Sequence, residues 1–262
     1  MRTGKTALYE DLKHQILTLE RAPDEDLDEV SLGESYGISR TPVRDVLRQL
    51  AGEGYVVIRE NRGARVIPMN HATMRDFFSV APVIYEAVAR LAVQNFRPQQ
   101  LLELKSCQVR FRAALESRDH VGMVVENTLF HAVIGDMSAS SFLNPSYSKL
   151  LIDHARIGHT FFRPKTPERE EELRQSCDQH DQMIETIASH DEDAMVELIY
   201  RHWGICGPAS RRRCSRRHSC GGRARKIGTS FRCFDVAAPI ASRHVSRTEV
   251  CRHPAACIQL RY

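Results

Sequence analysis

The sequence predicts a mainly α-helical protein. A small N-terminal unit of three helices and a β-hairpin spans residues 1–69, and an all-α antiparallel bundle spans 70–203. Three observations support this. Apolar residues recur at helical spacing through most of the first 203 positions. One short stretch, 55–67, is rich in β-formers. Prolines fall at or near the ends of the periodic segments, with Pro82 the exception.

In the first helix, Leu8, Leu12, Ile16 and Leu19 form one stripe within residues 6–20, and Ala22-Pro23-Asp24 ends it. A short helix over Glu29–Tyr36 follows. Gly37 makes a tight turn where positive φ is useful. Ser39 and Thr41 are both good N-caps, Pro42 suits a first helical turn, and the next helix runs to about Gly52. Beyond Gly54, the run YVVIRENRGARVI reads as two strands around Glu60-Asn61-Arg62-Gly63. From His71 to Trp203 only helical patterns occur, at about 72–95, 98–117, 119–137, 145–163, 167–189 and 191–203. Pro82 is expected to kink or divide the first of these.

Composition is ordinary for a globular chain, 42% hydrophobic and 27% charged, but the net charge of +4 conceals a division. Residues 204–262 carry 12 Arg and 1 Lys against 1 Asp and 1 Glu, hence +11, which leaves −7 for the first 203. No apolar run approaches the roughly 18 residues of a membrane span, and the N-terminus has no signal-peptide core. The expectation is a cytoplasmic protein with no membrane partner.

The helix after Gly37 presents two faces. Val43, Val46, Leu47 and Leu50 fall at i, i+3, i+4 and i+7, whereas Arg40, Arg44 and Arg48 fall at i, i+4 and i+8. The first face packs and the second shows guanidiniums, which suit phosphate and the O6/N7 edge of guanine. Ser39 and Thr41 suit phosphate or a base edge, and the helix N-terminus offers free N–H groups. In the hairpin, Arg59, Arg62 and Arg65 are placed to lie along an adjacent groove, and Gly63 allows close backbone approach. A solvated basic face beside an ordinary hairpin would show the same periodicity. The order helix, helix, turn, helix, basic hairpin favours a winged helix-turn-helix that binds double-stranded DNA.

At these residues the chain resembles the GntR family of bacterial regulators. Ser39–Arg44, Leu50-Ala51-Gly52-Glu53-Gly54 and Arg62-Gly63 match that family's motif in order and spacing. The resemblance implies a homodimer that reads a palindromic operator. Arg40 and Arg44 would contact bases or phosphates, with Thr41 and Gly63 on the backbone and minor-groove side. Val30 stands where the family often has Arg, which removes one base contact.

In the helical part, Asn127 and His131 share a helix face four residues apart, and His180 and His202 lie on later helices. Imidazoles from three packed helices, completed by an amide oxygen, suit Zn, Ni, Mn or Fe. With 12 histidines in the chain, a coincidental set is the alternative. Residues 71–203 resemble the FadR-type, all-helical ligand-binding domain called FCD. The resemblance implies a divalent metal on Asn127, His131, His180 and His202 that anchors a small-molecule effector, an organic acid. Asn127 replaces the commoner Asp. Relatives place an Arg four residues before the position of Glu86, where this chain has Pro82; Tyr85 points to a different pocket.

Two rival functions are a metal-dependent enzyme with an ancillary DNA-binding domain, and an architectural DNA binder that uses a basic tail. No dedicated general base stands near the histidines, so catalysis is not expected. In the tail, Cys214, Cys220, Cys251 and Cys257 fit no usual zinc spacing. Residues 204–262 read as a disordered basic arm or, preferably, as a GC-rich gene read out of frame, with the bundle's last helix cut about two residues after His202.

Overall fold

The computed structural model describes residues 4–60 and 63–206. Arg62 and the segment after Cys206 therefore lie outside the described residues. The elements run in the order α1 (Gly4–Leu17), β1 (Asp26–Leu27), α2 (Glu29–Tyr36), α3 (Arg40–Glu53), β2 (Val56–Ile58) and β3 (Ala64–Val66). Then follow α4 (His71–Asn95), α5 (Pro98–Glu116), α6 (His120–Met137), α7 (Asn144–Phe161), α8 (Pro167–Ala188) and α9 (Glu192–Cys206).

The N-terminal unit is a winged helix-turn-helix. Asp28 caps α2 by accepting from the backbone N–H groups of Val30 and Ser31 at 3.0 and 2.8 Å. Gly37 ends that helix in the left-handed region at φ 62°. The apolar face of α3 packs as its spacing predicts: Val43, Val46, Leu47 and Leu50 are all buried. With Leu8, Leu12, Ile16, Leu27 and Val66 they form one core. The sheet has three strands, not two. β3 lies between β2 and β1, antiparallel to both, with Leu27 opposite Ala64 and Val56 opposite Val66. A two-residue strand has no periodicity to detect, so β1 carries no sequence signal.

The six C-terminal helices form the bundle, with α5 packed on α6, α4 on α9, α6 on α7 and α8 on α9. Asn70 starts α4 with a capping box, its side chain accepting from Ala72 and Thr73 while Thr73 Oγ1 accepts from the Asn70 N–H. The helix continues through Pro82 without dividing. It is anchored on both sides of the proline by buried Phe77, Ala81, Tyr85 and Val88, so tertiary packing outweighs the lost hydrogen bond. The last helix extends three residues past the expected end at 203, to Cys206.

Both parts belong to one compact unit. α1 and α3 rest on α7. Arg156 of α7, its side chain fully buried, donates from Nη2 to the carbonyl of Ile67 at 3.0 Å and from Nη1 to Asp153 at 3.0 Å.

Candidate functional site: DNA-reading face and histidine cluster

Ser39, Arg40, Thr41, Arg44 and Arg48 are all exposed on or just before the first turns of α3. Ser39 is the N-cap in extended conformation, yet its hydroxyl makes no capping bond, which leaves it free for another acceptor or donor. Arg40, Arg44, Arg48 and Arg59 line a cleft of about 360 Å³ with Glu29 and Gly63. The recognition helix thus forms one wall of this cleft and the wing forms the other. Gly63 sits at φ 74°, and a Cβ there would stand 2.4 Å from the carbonyl oxygen of Leu27. Both conformation and space require glycine at this position.

Two acidic residues organise the guanidiniums. Glu29, at the start of α2, accepts from Arg44 Nε at 2.8 Å and Arg40 Nη2 at 3.2 Å. Asp26 holds Arg65 in a two-point pair at 2.7 and 2.8 Å and lies 3.6 Å from Arg59. Arg65 is thus paired within the sheet, across the β1–β3 pair. Sequence reasoning missed both carboxylates. Their partners lie 11 to 39 residues away, beyond the reach of periodicity.

In the bundle, His131 of α6, His180 of α8 and His202 of α9 converge. Their ring centroids lie 5.1–5.5 Å apart, and one nitrogen from each falls within 4.8 Å of the others. All three are buried, as is Asn127 one turn before His131. Behind them stand two glutamines. Gln108 donates from Nε2 to the Cys177 carbonyl at 2.8 Å, which aims its Oε1 at His180 Nδ1, 3.2 Å away. Gln179 Oε1 accepts from His202 Nδ1 at 3.0 Å. These bonds place the protons of His180 and His202 on Nδ1 and leave each Nε2 as a lone-pair donor. Phe130 stacks on His180 with centroids 4.1 Å apart and fixes its ring plane.

Both Nε2 atoms, and both ring nitrogens of His131, are buried without a hydrogen-bond partner. Such groups are costly to bury and rare. Burial drives His131 and His180 well below the ordinary histidine value and takes His202 down to about 3. Three neutral imidazoles with converging lone pairs fit a divalent cation. A fourth histidine went unnoticed in the sequence. His154 of α7 accepts or donates at Nδ1 to the Tyr85 hydroxyl at 2.8 Å, and its ring lies 4.8 Å from that of His131. Tyr85 packs edge-to-face on Trp203 and tilted against Tyr147 beside the cluster.

A winged helix-turn-helix on a bundle with a buried histidine cluster defines a transcription regulator with a sensing domain. The comparisons with known proteins agree. Residues 5–66 match the family model described as "Bacterial regulatory proteins, gntR family", and residues 78–204 match the FCD domain. An uncharacterized HTH-type transcriptional regulator of Escherichia coli, YieP, is 28% identical over 207 residues, 71% of this chain and 86% of its own. The HTH-type transcriptional repressor RspR of the same species is 25% identical, over 74% of this chain and 83% of its own. The solved structure of E. coli McbR/YncC shares the fold at a TM-score of 0.64 and 22% identity, covering 79% of this chain and 98% of that one. The chain belongs to the GntR family, with an FCD ligand-binding domain, and its families and relatives are regulators, not enzymes. Among the described residues, no helix is long and apolar enough to cross a membrane.

Proposed function

We propose that the protein is a homodimeric, cytoplasmic repressor that binds a palindromic operator, and that a small organic acid held on a divalent metal sets its affinity. Residues 1–69 read DNA, 70–203 sense, and 204–262 are an appendage whose native status the gene sequence across codons 200–210 would decide. Ser39, Arg40, Thr41, Arg44, Arg48, Arg62 and Gly63 form the reading surface. Asn127, His131, His180 and His202 hold the metal, which would supply a Lewis-acidic anchor for the effector. The observation that carries the sensing half is the set of four buried imidazole nitrogens with no partner. The reading half is supported by the cleft that joins the recognition helix to the wing.

Enrichment from a genomic fragment pool at fixed salt tests the first half. Wild type selects a short palindrome, and Arg44→Ala loses about 1–3 kcal/mol of discrimination. Failure of wild type to enrich any sequence overturns the reading. Thermal unfolding with Zn, Ni, Mn or Fe(II) tests the second. A cation at 100 times its Kd raises stability by about 2.7 kcal/mol, and His180→Ala abolishes that gain. If no cation raises the midpoint, with or without added acetate, the metal reading is wrong.

A further inference from the structure

The donor set proposed above contains no carboxylate. Asn127 offers an amide oxygen, and the three histidines are neutral. The groups behind them, Gln108 and Gln179, are neutral amides as well. Among the described residues, the electrostatic influences on the three rings come from one another and from His154, and none from an acid. Asn127, His131, His180 and His202 are each at most 3% exposed, so bulk solvent does not screen a charge held among them. A divalent cation here would keep its full double charge inside a low-dielectric core, the situation that buried ions avoid unless they are paired.

We propose that this centre takes up its metal and a small carboxylate ligand as a pair, each binding weakly without the other. The inference rests on the metal reading and adds to it. The negative charge that this chain withholds at Asn127 has to arrive with the ligand. The linkage is reciprocal, so the carboxylate's affinity rises with metal by the same factor that the metal's affinity rises with carboxylate. The centre then reports the coincidence of the two and not the concentration of either alone.

The test is a Co²⁺ titration of the full chain, followed by the visible d–d bands, in perchlorate medium with and without acetate. It is run at about pH 6, below the value of about 7 typical of metal-bound water, so that hydroxide does not supply the missing charge. Acetate is expected to raise the wild-type Co²⁺ affinity by about tenfold or more. Acetate also holds free Co²⁺ weakly, which only reduces the apparent gain. Asn127→Asp supplies the carboxylate internally and should bind Co²⁺ without acetate, with little further gain when it is added. Wild-type bands that develop at the same Co²⁺ concentration with and without acetate overturn the pairing and leave the metal reading intact. Absence of bands in wild type and in Asn127→Asp under both conditions overturns the metal reading, and the pairing with it.

Discussion

Gly63 shows how one residue can fix the geometry of the reading face. Its positive φ and the Leu27 carbonyl beneath it leave no room for a Cβ. Gly63→Ala is expected to destabilise the N-terminal unit by about 1–3 kcal/mol, seen in urea unfolding, because strain and a backbone clash act together. Histidine burial sets a second residue-scale property. His154 and His202 titrate in the folded protein at about 4 and about 3, against about 6.5 when unfolded. Between those values the unfolded chain binds more protons than the folded one. Stability is therefore complete above about pH 6.5 and falls as pH drops through this window, by up to about 1.4 kcal/mol per pH unit for each histidine. Denaturation midpoints taken from pH 7 to 4 should show this decline, and it should shrink in His154→Leu. A flat profile would mean that the rings are not buried as neutral species. His131, His180 and His202 were visible in the sequence because the family motif marks their positions. His154, Gln108 and Glu29 belong to no motif, and their partners lie 69, 72 and 15 residues away, so only the fold reveals them.

At the scale of the element, α7 joins the two halves. Tyr147 donates from its hydroxyl to the His131 carbonyl at 3.1 Å, and His154 meets Tyr85. On the side toward the DNA reader, Lys149 lies over Gly54 at the end of α3, and Arg156 reaches the Ile67 carbonyl. One helix thus contacts both the histidine cluster and the N-terminal unit. Arg156→Met removes the buried cation that ties Asp153 to the linker, a loss of about 3–5 kcal/mol for a broken buried pair. Calorimetry is expected to show one transition in wild type and two in the variant, the N-terminal unit melting first. A single transition shifted as a whole would show that Arg156 stabilises without coupling. Helix positions were legible within a few residues, because apolar periodicity is a local property and each element follows it. At Pro82 local chemistry allows either a kink or a division, and the helix does not divide, because packing on both sides of the proline holds it through.

At the scale of the whole molecule, the charge division and the two-part architecture were legible from the sequence. The third strand and the acidic partners of the arginines were not. Glu29 carries the largest consequence. Its carboxylate already neutralises one positive charge of the Arg40 and Arg44 pair. An arriving duplex therefore exchanges one fixed anion for another and sets free fewer solution ions than the number of arginines suggests. The slope of log affinity against log salt, usually taken as a count of neutralised phosphates, should undercount the contacts of this protein. Glu29→Gln should steepen that slope by about one without adding a single contact to the DNA.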